Sequence, residues 1–117
     1  MGMMVPTDYH LKYFRQAAKE KRHLDGSQLK IVNKGLKRIK VQGMKAGKPL
    51  NSDLKDCREI KHRELDLRII FRQNPNNKKH IDIVGIGKRE AKLAYKQASY
   101  RLSYHNASLN VDDISQD

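Results

Sequence analysis

The chain has 117 residues, with 25 Lys or Arg against 13 Asp or Glu, five His, one Cys and no Trp, for a formal net charge of +12. That length suits one domain of the common ~100–150-residue size and excludes a two-domain enzyme with a full nucleotide-binding fold. No apolar run nears the ~18–20 residues of a membrane span, the opening MGMMVP is too short for a signal peptide and has Pro6 where a myristoylation signal needs Ser or Thr, and the lone Cys57 makes no internal disulfide, so a cytoplasmic, reducing location is expected.

The charge is spread along the body. Residues 1–50 hold 12 basic and 3 acidic side chains, residues 51–105 hold 13 and 7, and residues 106–117 hold 3 acidic and no basic ones. A folded domain with that balance makes a broad positive field, and polyanions are its natural partners. No internal repeat or low-complexity tract interrupts it.

In chain order, residues 1–8 read as a loose lead-in. Residues 9–14 permit either a short strand or a helix start. Residues 15–24 are rich in helix formers, and Asp25-Gly26-Ser27 reads as a stop, a turn and an N-cap for the next helix. Over residues 28–42, Leu29, Val32, Leu36 and Ile39 share one face of a 3.6-residue period. The short link predicts that these two helices form an antiparallel hairpin.

Beyond Gly47-Lys48-Pro49 the period changes to two. Residues 58–64, 67–72 and 81–87 read as three strands of an antiparallel meander, with a tight turn at 65–66 and an Asn74-Pro75-Asn76-Asn77 turn between the second and third. The helical period returns near Lys88 or Arg89, with Ala91, Ala94, Ala98 and Leu102 on one face. Residues 107–117 read as a loose acidic tail. The expected fold is α+β: a small twisted antiparallel sheet of three or four strands, with an N-terminal helical hairpin and a C-terminal helix, all in one domain over 1–117. Helices on one face would leave the other open to solvent or a ligand.

Alternation sorts the strand side chains. Glu59, Lys61 and Arg63 share one face; Arg58, Ile60, His62 and Glu64 share the other. In the next strand Leu67, Ile69 and Phe71 are the expected core face. Arg68 sits amid an apolar run, where an unpaired charge is costly, and this marks it for a functional cleft. Gly85-Ile86-Gly87-Lys88-Arg89 runs from strand into helix and brings backbone N–H groups and two cations together, without the spacing of a P-loop. The histidines at 10, 23, 62, 80 and 105 lack metal-ligand spacing and Cys57 has no CxxC partner, so no metal or cofactor is expected.

The run Asp56-Cys57-Arg58-Glu59-Ile60-Lys61-His62-Arg63, then Leu67-Arg68-Ile69-Ile70-Phe71, then Ile83-Val84-Gly85-Ile86-Gly87-Lys88-Arg89-Glu90, then Tyr95, resembles the RelE branch of the RelE/ParE toxin superfamily across roughly residues 55–102. The resemblance implies a ribosome-dependent mRNA endonuclease, the toxin of a type II toxin–antitoxin pair, which cuts A-site mRNA without a metal by attack of the 2′-OH and so inhibits translation. It implies an acidic antitoxin, the ribosome, mRNA and ribosomal RNA as partners, and no membrane. It matches Lys61 to a general base, Arg68 and Arg89 to phosphate-stabilising arginines, and Tyr95 to a catalytic tyrosine. Arg63 falls at a substrate-binding position, with Lys88, Arg58 and Arg72 as further RNA-contacting cations. Glu59 departs from the pattern, which has Lys there, and either Glu59 or Lys61 serves as base. Two other readings stand beside this one: a ParE-like inhibitor of a topoisomerase such as gyrase, and a basic RNA- or ribosome-binding module without catalysis.

Overall fold

A computed structural model describes residues 8–88, 93–104 and 109–112. Strand β1 (His10–Phe14) leads directly into helix α1 (Arg15–Arg22), and α2 (Gly26–Gln42) follows. A 3-10 turn at Gly43–Ala46, the two-residue β2 (Lys48–Pro49) and a second 3-10 turn at Ser52–Leu54 lead to β3 (Cys57–His62). Then come β4 (Leu67–Gln73), β5 (His80–Lys88), α3 (Leu93–Tyr104) and β6 (Leu109–Asp112).

The strands form one sheet in the order β2-β3-β4-β5-β1-β6. The meander β3-β4-β5 is antiparallel, as the alternation predicts. The sheet is larger than the three or four strands expected, and it is mixed. Residues 10–14 are a strand, and β1 pairs parallel to β5, with Leu11 opposite Ile81 and Tyr13 opposite Ile83. Part of the segment read as a loose tail, Leu109–Asp112, pairs antiparallel with β1 at the sheet edge.

The helices also pack differently from the expected hairpin. Asp25, not Ser27, caps α2: its carboxylate accepts from Gln28 N–H at 2.8 Å while the Gln28 side chain accepts from Asp25 N–H at 3.0 Å, a reciprocal capping box. Helix α2 then lies on the sheet, burying Val32, Leu36 and Ile39. Gly35 permits that approach, since a Cβ there would stand 2.8 Å from Ile69 Cδ1 and 3.7 Å from a methyl of Ile60. The neighbouring Glu59 projects to the opposite face, where it meets Tyr95 of α3. The sheet is thus covered on both sides, and Ile69 and Ile70, which point opposite ways, are both buried. Among the described residues the second face, expected to be open, is covered over β5 by α3.

Helix α1 packs against β5 and β1 and takes over where β1 ends. Past Ile83, β5 has no β1 residue beside it, and the Glu20 carboxylate accepts from Ile86 N–H at 3.0 Å instead. Arg101 of α3 completes the plug, donating to both Glu20 carboxylate oxygens at 3.1 and 2.7 Å and to the Val84 carbonyl at 2.8 Å. Val84 is the extra residue of a bulge, lying between Phe71↔Ile83 and Ile70↔Gly85. At Gly85 a Cβ would stand 3.2 Å from the Arg101 guanidinium, so the missing side chain makes room for the cation.

Gly47 is the tightest backbone contact near the site: a Cβ there would lie 2.7 Å from the Glu59 carbonyl and 2.7 Å from the Phe71 ring. Gly87 has open space around its Cβ position. Gly47→Ala should therefore lower unfolding free energy by about 1–3 kcal/mol in urea titration, the usual cost of overpacking, while Gly87→Ala stays within about 0.5 kcal/mol.

Candidate active site

Strand β4 carries Arg68 inward at 3% exposure, amid Leu67, Ile69 and Ile70. Three groups meet its guanidinium. Nη1 donates to the hydroxyl oxygen of Tyr95 of α3. Glu59 of β3 lies 3.5 Å from the same nitrogen. Asp66, in the turn between β3 and β4, accepts from Nη2 at 3.3 Å. The Tyr95 hydroxyl in turn donates to Glu59 at 2.8 Å, and the guanidinium lies over the Tyr95 ring at 5.3 Å. Arg68 Nε is buried with no hydrogen-bond partner among the described residues.

The local structure explains the convergence. Lys61 stands directly opposite Arg68 in the β3–β4 ladder, and Glu59 is its diagonal neighbour on the same face. Asp66 has φ of +54°, a left-handed conformation that Asp tolerates better than most residues, and the tight turn brings its carboxylate back to Arg68. Ala94 and Ala98, both buried, face the sheet from α3 and let that helix sit close enough for Tyr95 to reach. Burial pushes the Tyr95 hydroxyl above its ordinary value, and the Glu59 hydrogen bond and charge push the same way against the opposing pull of Arg68. The phenol is a proton holder at neutral pH.

Of the residues singled out from sequence, Glu59, Arg68 and Tyr95 form one cluster, and Lys61, exposed, stands beside it. Arg63 is exposed in the β3–β4 turn, and Lys88 is exposed at the end of β5. Arg89, and with it the strand-to-helix junction, lies outside the described residues. Arg58 and Arg72 are not gathered with the others. Arg58 donates to the carbonyls of Met44 and Gly47 at 3.4 and 3.2 Å. Arg72 pairs with the fully buried Asp82 at 2.9 Å and lies over the Phe14 ring. Cys57 is buried, and desolvation pushes its thiol up to about 11. Among the described residues no three His, Cys, Asp or Glu side chains assemble as a metal site, and no helix is long and apolar enough to cross a membrane. In the sequence Asp66 carries no signal beyond its place in the 65–66 turn.

No protein-family model matches the chain, and no curated protein matches it in sequence. Solved structures do. A mutant of E. coli toxin RelE in the free state is 27% identical, with a TM-score of 0.67, over 81% of this chain and 98% of that one. RelE in the intact E. coli RelBE toxin–antitoxin complex is 25% identical, with a TM-score of 0.57, over 68% of this chain and 95% of that one. The chain belongs to the RelE-like superfamily. A toxin–antitoxin complex from Mycobacterium tuberculosis shares the fold at 17% identity and a TM-score of 0.59, over 71% of this chain and 93% of that one. The RelE-like fold supports a type II toxin.

The Tyr95 shift has a measurable consequence. Above the ordinary tyrosine value near 10, the unfolded chain releases a proton that the folded chain still holds. Stability should then fall as pH rises past about 10, and Tyr95→Phe should flatten that part of the profile relative to wild type in urea titrations across the alkaline range.

Proposed function

We propose that this protein is a ribosome-dependent mRNA endonuclease, the toxin of a type II toxin–antitoxin pair acting in the cytoplasm. The observation that carries the reading is the Glu59–Tyr95–Arg68 cluster: an acceptor, a held proton and a fixed cation within hydrogen-bond reach of one another.

Those are the parts that metal-independent RNA cleavage requires. A base takes the proton of the 2′-OH, whose oxygen attacks the adjacent phosphorus. The five-coordinate phosphate carries extra negative charge. The 5′-oxygen leaves with a proton, giving a 2′,3′-cyclic phosphate and a 5′-hydroxyl end. Glu59 is the base we assign, because its carboxylate sits inside the cluster while Lys61 is exposed at its side. Arg68 stabilises the phosphate through planar, fixed donors. Tyr95, kept protonated by its surroundings, supplies the leaving oxygen's proton. Lys61, Arg63 and Lys88 supply charge for the flanking phosphates, and Arg89 is assigned as a second phosphate-stabilising arginine from its place in the motif. The net charge of +12 suits an encounter with the RNA-rich ribosome. Solved RelE structures in complex with an antitoxin support an antitoxin partner for this chain, and its net charge of +12 suits an acidic one.

Primer extension on mRNA held in programmed ribosomes tests the reading. Wild type should cut within the A-site codon. Arg68→Ala, Tyr95→Phe and Glu59→Gln should each slow the cut by about 10²-fold or more, whereas Lys61→Ala should mainly weaken capture and reduce the salt slope of binding by about one. Intact ribosome-bound mRNA with wild type would overturn the proposal.

A further inference from the structure

Next to the cluster lies a cavity of about 570 Å3 between the connection ahead of β3 and helix α3, lined in part by Leu50, Asn51, Asp53, Leu54, Tyr95 and Ser99. Its size falls within the ~300–1,000 Å3 of small-molecule sites. Tyr95 is common to the cavity and the reacting cluster. The two leucines and the tyrosine ring offer apolar surface to a flat ring, and Asn51 and Asp53 offer polar groups to its edge. The loop is held in place: Leu54 N–H donates to the Asn51 carbonyl at 3.0 Å, Ser52 has φ of +55°, and the Ser99 hydroxyl donates to Asp53 Oδ2 at 3.3 Å, which ties the carboxylate to α3.

We infer that this cavity is a nucleobase pocket, in which Asp53 reads the Watson–Crick edge of a base flanking the scissile phosphate. The inference rests on the endonuclease reading and adds a specificity determinant to it. A substrate whose phosphate meets Arg68 has its neighbouring base beside Tyr95, at the mouth of the cavity. A carboxylate only accepts hydrogen bonds. Adenine, cytosine and guanine each present an amino donor to it. Uracil presents one N–H between two carbonyl oxygens, and those carbonyls oppose the carboxylate. Asp53 therefore selects against uracil in the pocket. Asparagine has nearly the same shape but both donates and accepts, so Asp53→Asn admits uracil while it still accepts from Ser99.

The test uses ribosomes carrying A-site codons that vary through all four bases at each position flanking the cut, with single-turnover cleavage by wild type and Asp53→Asn. Wild type should cut about tenfold or more slowly with uracil at one flanking position, the scale of one well-placed base-edge contact, and Asp53→Asn should bring uracil within about threefold of the other bases. The variant's thermal midpoint should stay near wild type, since Asp53 is exposed. A wild-type enzyme that cleaves without regard to uracil, or a variant that keeps the wild-type preference, overturns the pocket and leaves the endonuclease intact. A wild-type protein that cleaves no ribosome-bound mRNA overturns the endonuclease reading itself.

Discussion

A guanidinium at 3% exposure needs compensation for its lost hydration, and the centre of this molecule is arranged around supplying it to Arg68. Arginine cannot shed its proton to ease the cost. The compensation comes from three directions: Glu59 one strand away, Asp66 from the turn, and Tyr95 from a helix 27 residues further on. Each direction constrains an element. The β3–β4 register must hold Glu59 diagonal to Arg68, the turn must close tightly enough to aim Asp66, and α3 must sit close to the sheet. A one-residue slip of β3 would move Glu59 to the other face and leave the buried charge opposite Ile60 or His62, without its carboxylate.

The seating of α3 is secured at a second place. Arg101 reaches across to Glu20 and the bulged Val84 carbonyl, at a point where the edge of β5 has outrun β1. The same side chains complete the edge's hydrogen bonding and fix the helix that carries Tyr95. Gly85 and the alanines at 94 and 98 cooperate by being small. The tertiary architecture near β5 thereby supports the Glu59–Tyr95–Arg68 cluster, although Glu20 and Arg101 lie outside it.

The local signals in the sequence were strong where structure is local. The period-two runs at 58–64, 67–72 and 81–87 match β3, β4 and β5 within a residue or two, the 3.6-residue stripe became α2, and the Asn-Pro-Asn-Asn turn fell between β4 and β5. Arg68 was conspicuous because a charge interrupts an apolar strand. Parallel pairing of β1 with β5 was not legible, since it joins segments 70 residues apart and five residues of alternation fit more than one element. The covered second face was missed for a related reason: Ile70 alternates with Ile69, and apolar residues on both sides of a strand signal burial on both sides. Arg58 and Arg72 show the limit of alternation, which assigns a face but not a partner. Their partners, two carbonyls of the 43–47 segment and Asp82, lie in distant or opposing segments. Glu59 departs from the motif in the sequence and joins Tyr95 to Arg68 in the structure.

The central claim is that Glu59 and Tyr95 act on the substrate as one unit fixed by Arg68. A double-mutant cycle measures this directly: single-turnover cleavage of ribosome-bound mRNA by wild type, Glu59→Gln, Tyr95→Phe and the double variant. A unit predicts strong non-additivity, with the double variant cleaving about as slowly as the slower single one. Two substitutions whose effects simply multiply would contradict the account.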